Sequence, residues 1–209
     1  MLTSKTVAEF LNDLASNSPA PGGGSISALA GALSAGLTSM VCRLTIGKKK
    51  YADVQNEMEK ILRESEELRR RLTLLIDEDT AAFNEVMAAF ALPKESPVQQ
   101  QMRTEAIQIA TKKASLVPLE VMRLSANAAV LAKSVAEKGN SNSITDAGVA
   151  ALSARMACGG AMMNVLINLG SLKDQEFVTT TRKEAKTISE SVEVTVGATL
   201  QHIGKVLGL

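Results

Sequence analysis

Few side chains in this sequence are equipped for chemistry, and the shortage narrows the choice. The chain has one His, His202, and two Cys, Cys42 and Cys158, far apart. No CxxC motif or Cys/His cluster exists, so neither a metal site nor a disulfide framework is expected. Both thiols sit among small apolar residues and read as buried, reduced cysteines. That leaves carboxylates, lysines and amides, of which Asp79 is the most informative. An apolar stripe at helical spacing runs through Leu68, Leu72 and Leu75 or Ile76, then resumes at Phe83, Val86 and Phe90. Asp79 falls in the gap, on the face shared by Leu75 and Phe83. Asp77 lies about 200° round the helix and points elsewhere. A carboxylate on an apolar face is desolvated, which raises its pKa toward the range useful to a general acid or base. A buried Asp bonded to a helix cap or paired with a base would leave the same pattern, and spacing alone favours that structural explanation.

The other candidates are each ambiguous taken singly. Pro21-Gly22-Gly23-Gly24-Ser25 directly precedes a helical stretch. Bare backbone N–H groups and a positive helix end suit an anionic ligand. The loop matches neither GxxxxGK[ST] nor GxGxxG, and a tight turn that admits close packing would use the same glycines. Lys48, Lys49 and Lys50 with Tyr51 form a basic patch at a helix end, where lysines also favour the helix dipole. Lys94 follows a helix end in Leu92-Pro93-Lys94 and admits both explanations. Asn164 and Asn168 end an otherwise apolar strip. Buried amides need partners, which could be another helix, each other or a ligand.

The elements that must position these residues are helices. Periodicity predicts a first helix over about residues 4–16, capped by Thr3 or Ser4, and a second from the glycine loop to about residue 46, ended by Gly47. A long helix follows over about 52–92. Its Glu66/Arg70 and Glu67/Arg71 pairs at i,i+4 read as a solvated face. Ser96 and Pro97 open the next helix, which runs to about Lys138 with an interruption or kink at Pro118. Ser143 to Asp146 reads as a capping box for a helix to about Leu169. A last helix covers about 174–206, with Phe177, Ile188, Val192, Val196, Leu200 and Ile203 on its apolar face. Two strips of small residues stand out: Ser25, Ala28, Ala32, Ala35, Ser39 and Cys42 on the second helix, and Ala147, Ala150, Ala154, Ala157 and Ala161 on the fifth. Small side chains let helix axes approach closely, so these helices are expected to be neighbours, within a subunit or across a dimer. The expectation is a single all-α domain over residues 1–209, an antiparallel bundle of long helices.

Composition excludes several functions. The 209 residues carry a net charge of +1 and only 2% aromatics, with no Trp, which argues against a nucleic-acid partner. The uncharged stretch from Gly22 to Cys42 is studded with Gly, Ser and Thr and lacks an aromatic belt, so no membrane span is expected. The N-terminus does not read as a signal peptide, and a cytoplasmic protein is expected.

The pieces together resemble a family, the formiminotetrahydrofolate cyclodeaminases and methenyltetrahydrofolate cyclohydrolases. The resemblance runs through nearly the whole chain: Pro21-Gly22-Gly23-Gly24-Ser25, Thr45-Ile46-Gly47-Lys48-Lys49-Lys50-Tyr51, Asp77-Glu78-Asp79-Thr80-Ala81-Ala82-Phe83, Leu92-Pro93-Lys94, Val117-Pro118-Leu119, Gly139-Asn140 through Asp146, and Asn164 through Leu169. One departure is Thr145, where the family often has Ser. The resemblance implies an all-helical dimer acting on a one-carbon unit attached to tetrahydrofolate, without metal or cofactor. In one reaction N10 attacks the formimino carbon, 5,10-methenyltetrahydrofolate forms and ammonia leaves. In the other, water opens the methenyl ring to 10-formyltetrahydrofolate. It further implies that Asp79, the second acid of the Asp-x-Asp pair, is the catalytic group. Gly22, Gly23, Gly24, Ser25, Lys48, Lys49 and Lys94 would then hold the glutamate tail or pterin, and Asn140, Asp146, Asn164 and Asn168 would bond pterin edges. The fused mammalian-type enzyme has a separate formiminotransferase domain, which this sequence lacks, so either reaction fits. A non-catalytic folate-binding or helical interaction protein is the alternative, and would not need a carboxylate at 79.

Overall fold

The structure is a computed structural model and describes residues 1–208. Six α-helices carry the fold: α1 (Val7–Leu14), α2 (Gly23–Thr45), α3 (Gln55–Phe90), α4 (Pro97–Lys138), α5 (Ile144–Leu169) and α6 (Gln175–Leu207). Short 3-10 turns lie at Leu2–Ser4, Lys49–Val54 and Ser141–Ser143, and no strand occurs among the described residues. The all-α expectation is met, with local differences at the helix starts.

α1 is capped by Thr6, which forms a capping box with Glu9. Neither expected cap serves: Thr3 donates its hydroxyl to Asp77 at 2.7 Å, with the Leu2 N–H donating to the same carboxylate at 2.5 Å, and Ser4 donates to Met1 O. α3 starts later than expected. The Gln55 side chain donates to Tyr51 O and accepts from Gly47 N–H, which holds Lys49–Val54 as a tight turn ahead of the helix. Ser96 and Pro97 open α4 as expected, with Gln99 completing a capping box. The expected box from Ser143 to Asp146 does not form: Ser143 makes no side-chain cap bond, and Asn140 caps the preceding turn by accepting from Asn142 N–H. Asp174 caps α6 through Phe177 N–H.

Of the interruption or kink expected at Pro118, the interruption is absent, for α4 continues through it. Proline has no N–H to offer the carbonyl four residues back, which is Ala114 O. Asn168 Nδ2 of α5 supplies that missing hydrogen bond at 3.0 Å. The charge run on α3 is also more than a solvated face. Arg71 ties α3 to α4 through Glu120 at 2.6 Å, and Glu66 accepts from Arg43 of α2.

Both small-residue strips are buried, and α2 packs on α5. Gly23 meets Asn164, and a Cβ on Gly160 would overlap the Ser27 hydroxyl. At the other end of α2, Leu44 O accepts from Asn140 Nδ2 and the Thr45 hydroxyl accepts from Asn140 N–H. The main core joins Leu72, Leu75, Leu119, Met122, Val165, Leu169 and Val192. A second cluster of Val41, Met58, Ile61, Val135 and Ile203 fills the end near Asn140. α2, α4 and α5 are long and apolar enough to cross a membrane by length and composition; within the protein, 67% of the most apolar stretch of α2 is buried.

Candidate active site

α2 begins without a side-chain cap, because its cap residue is Gly22. Its first-turn N–H groups therefore lack a local partner. Asp79 of α3 stands in that place. Asp79 Oδ2 accepts from the Ser25 hydroxyl at 2.9 Å, and Ser25 Oγ lies 3.3 Å from Thr80 Oγ1. Gly24 packs directly on the carboxylate, where any Cβ would overlap Asp79 Oδ1. The anion at the glycine loop is thus the protein's own. Burial pushes the Asp79 carboxyl above its ordinary value of 3.8, while the Ser25 hydroxyl and backbone N–H pull it partly back.

Asp79 opens into a cleft of about 430 Å³. One wall is α3, with Phe83, Val86, Met87 and Phe90; the lip is Pro19, Ala20 and Gly22–Gly24; the far side is Asn164, Ile167 and Asn168 of α5 with Ala114 of α4. The apolar stripe read along α3 therefore divides. Leu72, Leu75 and Ile76 enter the protein interior, whereas Phe83, Val86 and Phe90 line the cleft, Phe90 being 46% exposed. Asp79 is the single titratable group among the residues lining it. Among the described residues no three His, Cys, Asp or Glu side chains converge to hold a metal ion.

Asn164 and Asn168 are anchored by their amide nitrogens. Asn164 Nδ2 donates to Gly160 O at 2.9 Å, and Asn168 Nδ2 donates to Ala114 O. Because a carbonyl can only accept, these bonds fix which end of each amide is nitrogen. The two Oδ1 atoms accept no hydrogen bond from the described residues, and both asparagines line the cleft.

The sequence-predicted residues separate into two groups. Gly22, Gly23, Gly24, Ser25, Asn164 and Asn168 meet around Asp79. Lys94 is exposed in the turn four residues past Phe90, outside the cleft lining. Lys48, Lys49, Asn140 and Asp146 lie at the opposite end of α2, which at 23 residues is about 34 Å long. There Asn140 is 6% exposed and consumed by structure, bonding Leu44 O, Thr45 and Asn142. Tyr51 OH accepts from Ser141 N–H at 2.9 Å. Within one chain, then, these four are not part of the Asp79 cleft. Thr80 and Ala114 were missed by sequence reasoning. The signal for Thr80 was its place beside Asp79, and for Ala114 its place four residues before Pro118.

The family model for formiminotransferase-cyclodeaminase matches residues 6–187. Methenyltetrahydrofolate cyclohydrolase of Methylorubrum extorquens is 46% identical over 184 residues, covering 88% of each chain. The formimidoyltransferase-cyclodeaminase of Rattus norvegicus is 32% identical over 88% of this chain, which spans 34% of that longer protein. The crystal structure of formiminotetrahydrofolate cyclodeaminase from Thermotoga maritima matches with a TM-score of 0.82 and 33% identity, covering 100% of this chain and 98% of that one. In sequence and in fold, the chain belongs to the formiminotransferase-cyclodeaminase family of folate one-carbon enzymes.

Proposed function

We propose that this protein hydrolyses 5,10-methenyltetrahydrofolate to 10-formyltetrahydrofolate, with Asp79 moving the protons. The observation that carries this is a lone carboxylate in an apolar cleft, held through Oδ2 by Ser25 and reached at Oδ1 by no side-chain donor among the described residues. The methenyl bridge between N5 and N10 is cationic, and an anion facing apolar walls favours it. Phe83 and Phe90 offer flat surfaces for the rings. The amide oxygens of Asn164 and Asn168 are acceptors for N–H groups on a pterin edge.

Asp79 first takes a proton from water as the water oxygen bonds to the methenyl carbon. The product is a neutral tetrahedral carbinolamine and a protonated Asp79. Asp79 then gives that proton to N5 as the C–N5 bond breaks. The hydroxyl proton leaves as the formyl C=O forms, so one proton is released overall and Asp79 returns to carboxylate. A carboxyl whose pKa is raised by burial is suited to both steps near neutral pH.

Support for water as the nucleophile comes from the cyclohydrolase relative, which this chain matches over 88% of its length. Likeness to the Thermotoga maritima cyclodeaminase favours a second possibility, in which the same carboxyl protonates departing ammonia. Absorbance distinguishes them, because the methenyl compound has a near-ultraviolet band. We expect the band to disappear when protein is added to methenyltetrahydrofolate. Growth of the band from the formimino compound would instead assign the cyclodeaminase reaction, and no change with either would leave a folate-binding protein.

Contacts at the two ends of α2 and α5 support an antiparallel bundle, and a second copy is proposed to complete the site. An exposed apolar stripe runs along α5 through Val149, Leu152, Met156, Met163 and Ile167. Ile167 is on the cleft rim, while Val149 lies in the second turn of α5, toward the other end of that helix. A second chain laid head to tail along this stripe would cover it and bring its own Lys48, Lys49 and Asp146 toward the Asp79 cleft.

A further inference from the structure

The Ser25 hydroxyl has one hydrogen and two neighbours. It lies 2.9 Å from Asp79 Oδ2 and 3.3 Å from Thr80 Oγ1. A carboxylate cannot donate, so while Asp79 is ionised the Ser25 hydrogen goes to Oδ2. The Thr80 hydroxyl must then be the donor to Ser25. Ser25 is fully buried, and Gly24 beside it packs on the same carboxylate. Together these contacts set the Asp79 side chain in one orientation.

We infer that Ser25 is a positioning residue for Asp79: it holds Oδ2 while Gly24 packs against Oδ1, which fixes the carboxyl for proton exchange with substrate, with Thr80 fixing the direction of the Ser25 hydroxyl. The inference rests on the proton-transfer role of Asp79 and adds the device that aims it. Such a hold decides two things. It keeps the reactive oxygen from rotating away from the one-carbon unit, and it stabilises the charged form that must first accept a proton from water. Within one chain no other charged side chain lines the cleft, and in the proposed pair the partner's Lys48, Lys49 and Asp146 are the same in every variant compared, so they do not account for a difference between them. α2 faces the carboxylate with Ser25 and glycine backbone, α4 with Ala114, and α5 with the two neutral amides. On α3 itself Asp77 is tied to residues 2 and 3, and Glu78 is paired with Arg71.

The test is the pH profile of kcat for the wild type, Ser25→Ala, Thr80→Val and Thr80→Ser. Base action needs ionised Asp79, so activity falls on the acidic side as the carboxyl gains a proton. Losing the Ser25 donor disfavours the ion, so the acidic limb of Ser25→Ala moves to higher pH, by about one unit. Its kcat falls by about ten- to a hundredfold from misalignment, with KM little changed. Thr80→Val moves the limb the same way by less, and Thr80→Ser returns it to the wild-type position. A limb unmoved in both Ser25→Ala and Thr80→Val overturns the inference, because loss of packing alone would lower kcat equally at every pH. If Ser25→Ala fails to fold by circular dichroism, the Thr80→Val and Thr80→Ser pair decides alone. Asp79→Asn separates the two levels. If it is inactive and the limb is unmoved, only the role of Ser25 falls; if it keeps wild-type turnover, the role of Asp79 falls and that of Ser25 with it.

Discussion

Asp79 is held by two influences that oppose each other. Burial disfavours its charge, and the first turn of α2 with the Ser25 hydroxyl favours it. The net effect is a carboxyl pKa above the ordinary 3.8. A group that binds its proton more tightly when folded stabilises the fold fully below its unfolded pKa, and that contribution is lost as pH rises through the folded pKa. Asp79→Asn imitates the protonated form and avoids the loss. Its melting temperature is therefore expected to exceed that of the wild type near pH 7, by about 2–4 °C for each kcal/mol gained, with the difference closing toward pH 4. Calorimetry across that range checks it. At this scale the sequence was legible where one helix face was enough: a carboxylate interrupting a stripe at Asp79, with Asp77 turned away. The reason for Gly24 was not legible, because the atom that forbids its Cβ belongs to α3.

Helix packing rests on a few close approaches. The small strips on α2 and α5 were readable from their spacing, since the need for contact falls on side chains that are themselves in the pattern. Between α2 and α5 the tightest glycine contact is Gly160 against Ser27. Gly160→Ala displaces the Ser27 hydroxyl from its hydrogen bond to Gly23 O and is expected to cost about 0.5–1.5 kcal/mol. At Gly159 a Cβ meets nothing within 4 Å, so Gly159→Ala should be neutral or stabilise by about 0.5–1 kcal/mol through helix propensity. Urea titration of the two variants checks the contrast, and equal effects would refute the close approach. Pro118 does not interrupt its helix, for a related reason. The proline removes a bond within its own helix, but Asn168 of α5 restores it, and the spacing of residues within α4 carries no trace of that partner. The α1 cap failed similarly, although that of α4 held: Thr3 looked available until Asp77 engaged it.

Across the whole molecule the resemblance motifs occupy two places. Those around Asp79 lie at one end of α2, and those around Lys48 and Asn140 lie at the other. Linear order cannot reveal this separation, because both groups sit at the ends of the same helices. If a second copy joins them, each site takes Asp79 from one chain and Lys48 from its partner. A mixture of the Asp79→Asn chain with a Lys48→Ala, Lys49→Ala chain would then regain activity at subsaturating substrate, up to about a quarter of wild type with random pairing. Activity no greater than the average of the two variants alone would refute a shared site. The central claim, that Asp79 carries the proton in a folate one-carbon reaction, is tested most directly by Asp79→Asn with methenyltetrahydrofolate, following turnover by absorbance and binding by calorimetry. The expected result is turnover reduced by about 10²–10⁴-fold, with affinity for the 10-formyl product, which lacks the cationic bridge, nearly unchanged. Turnover comparable to wild type at equal affinity would contradict it.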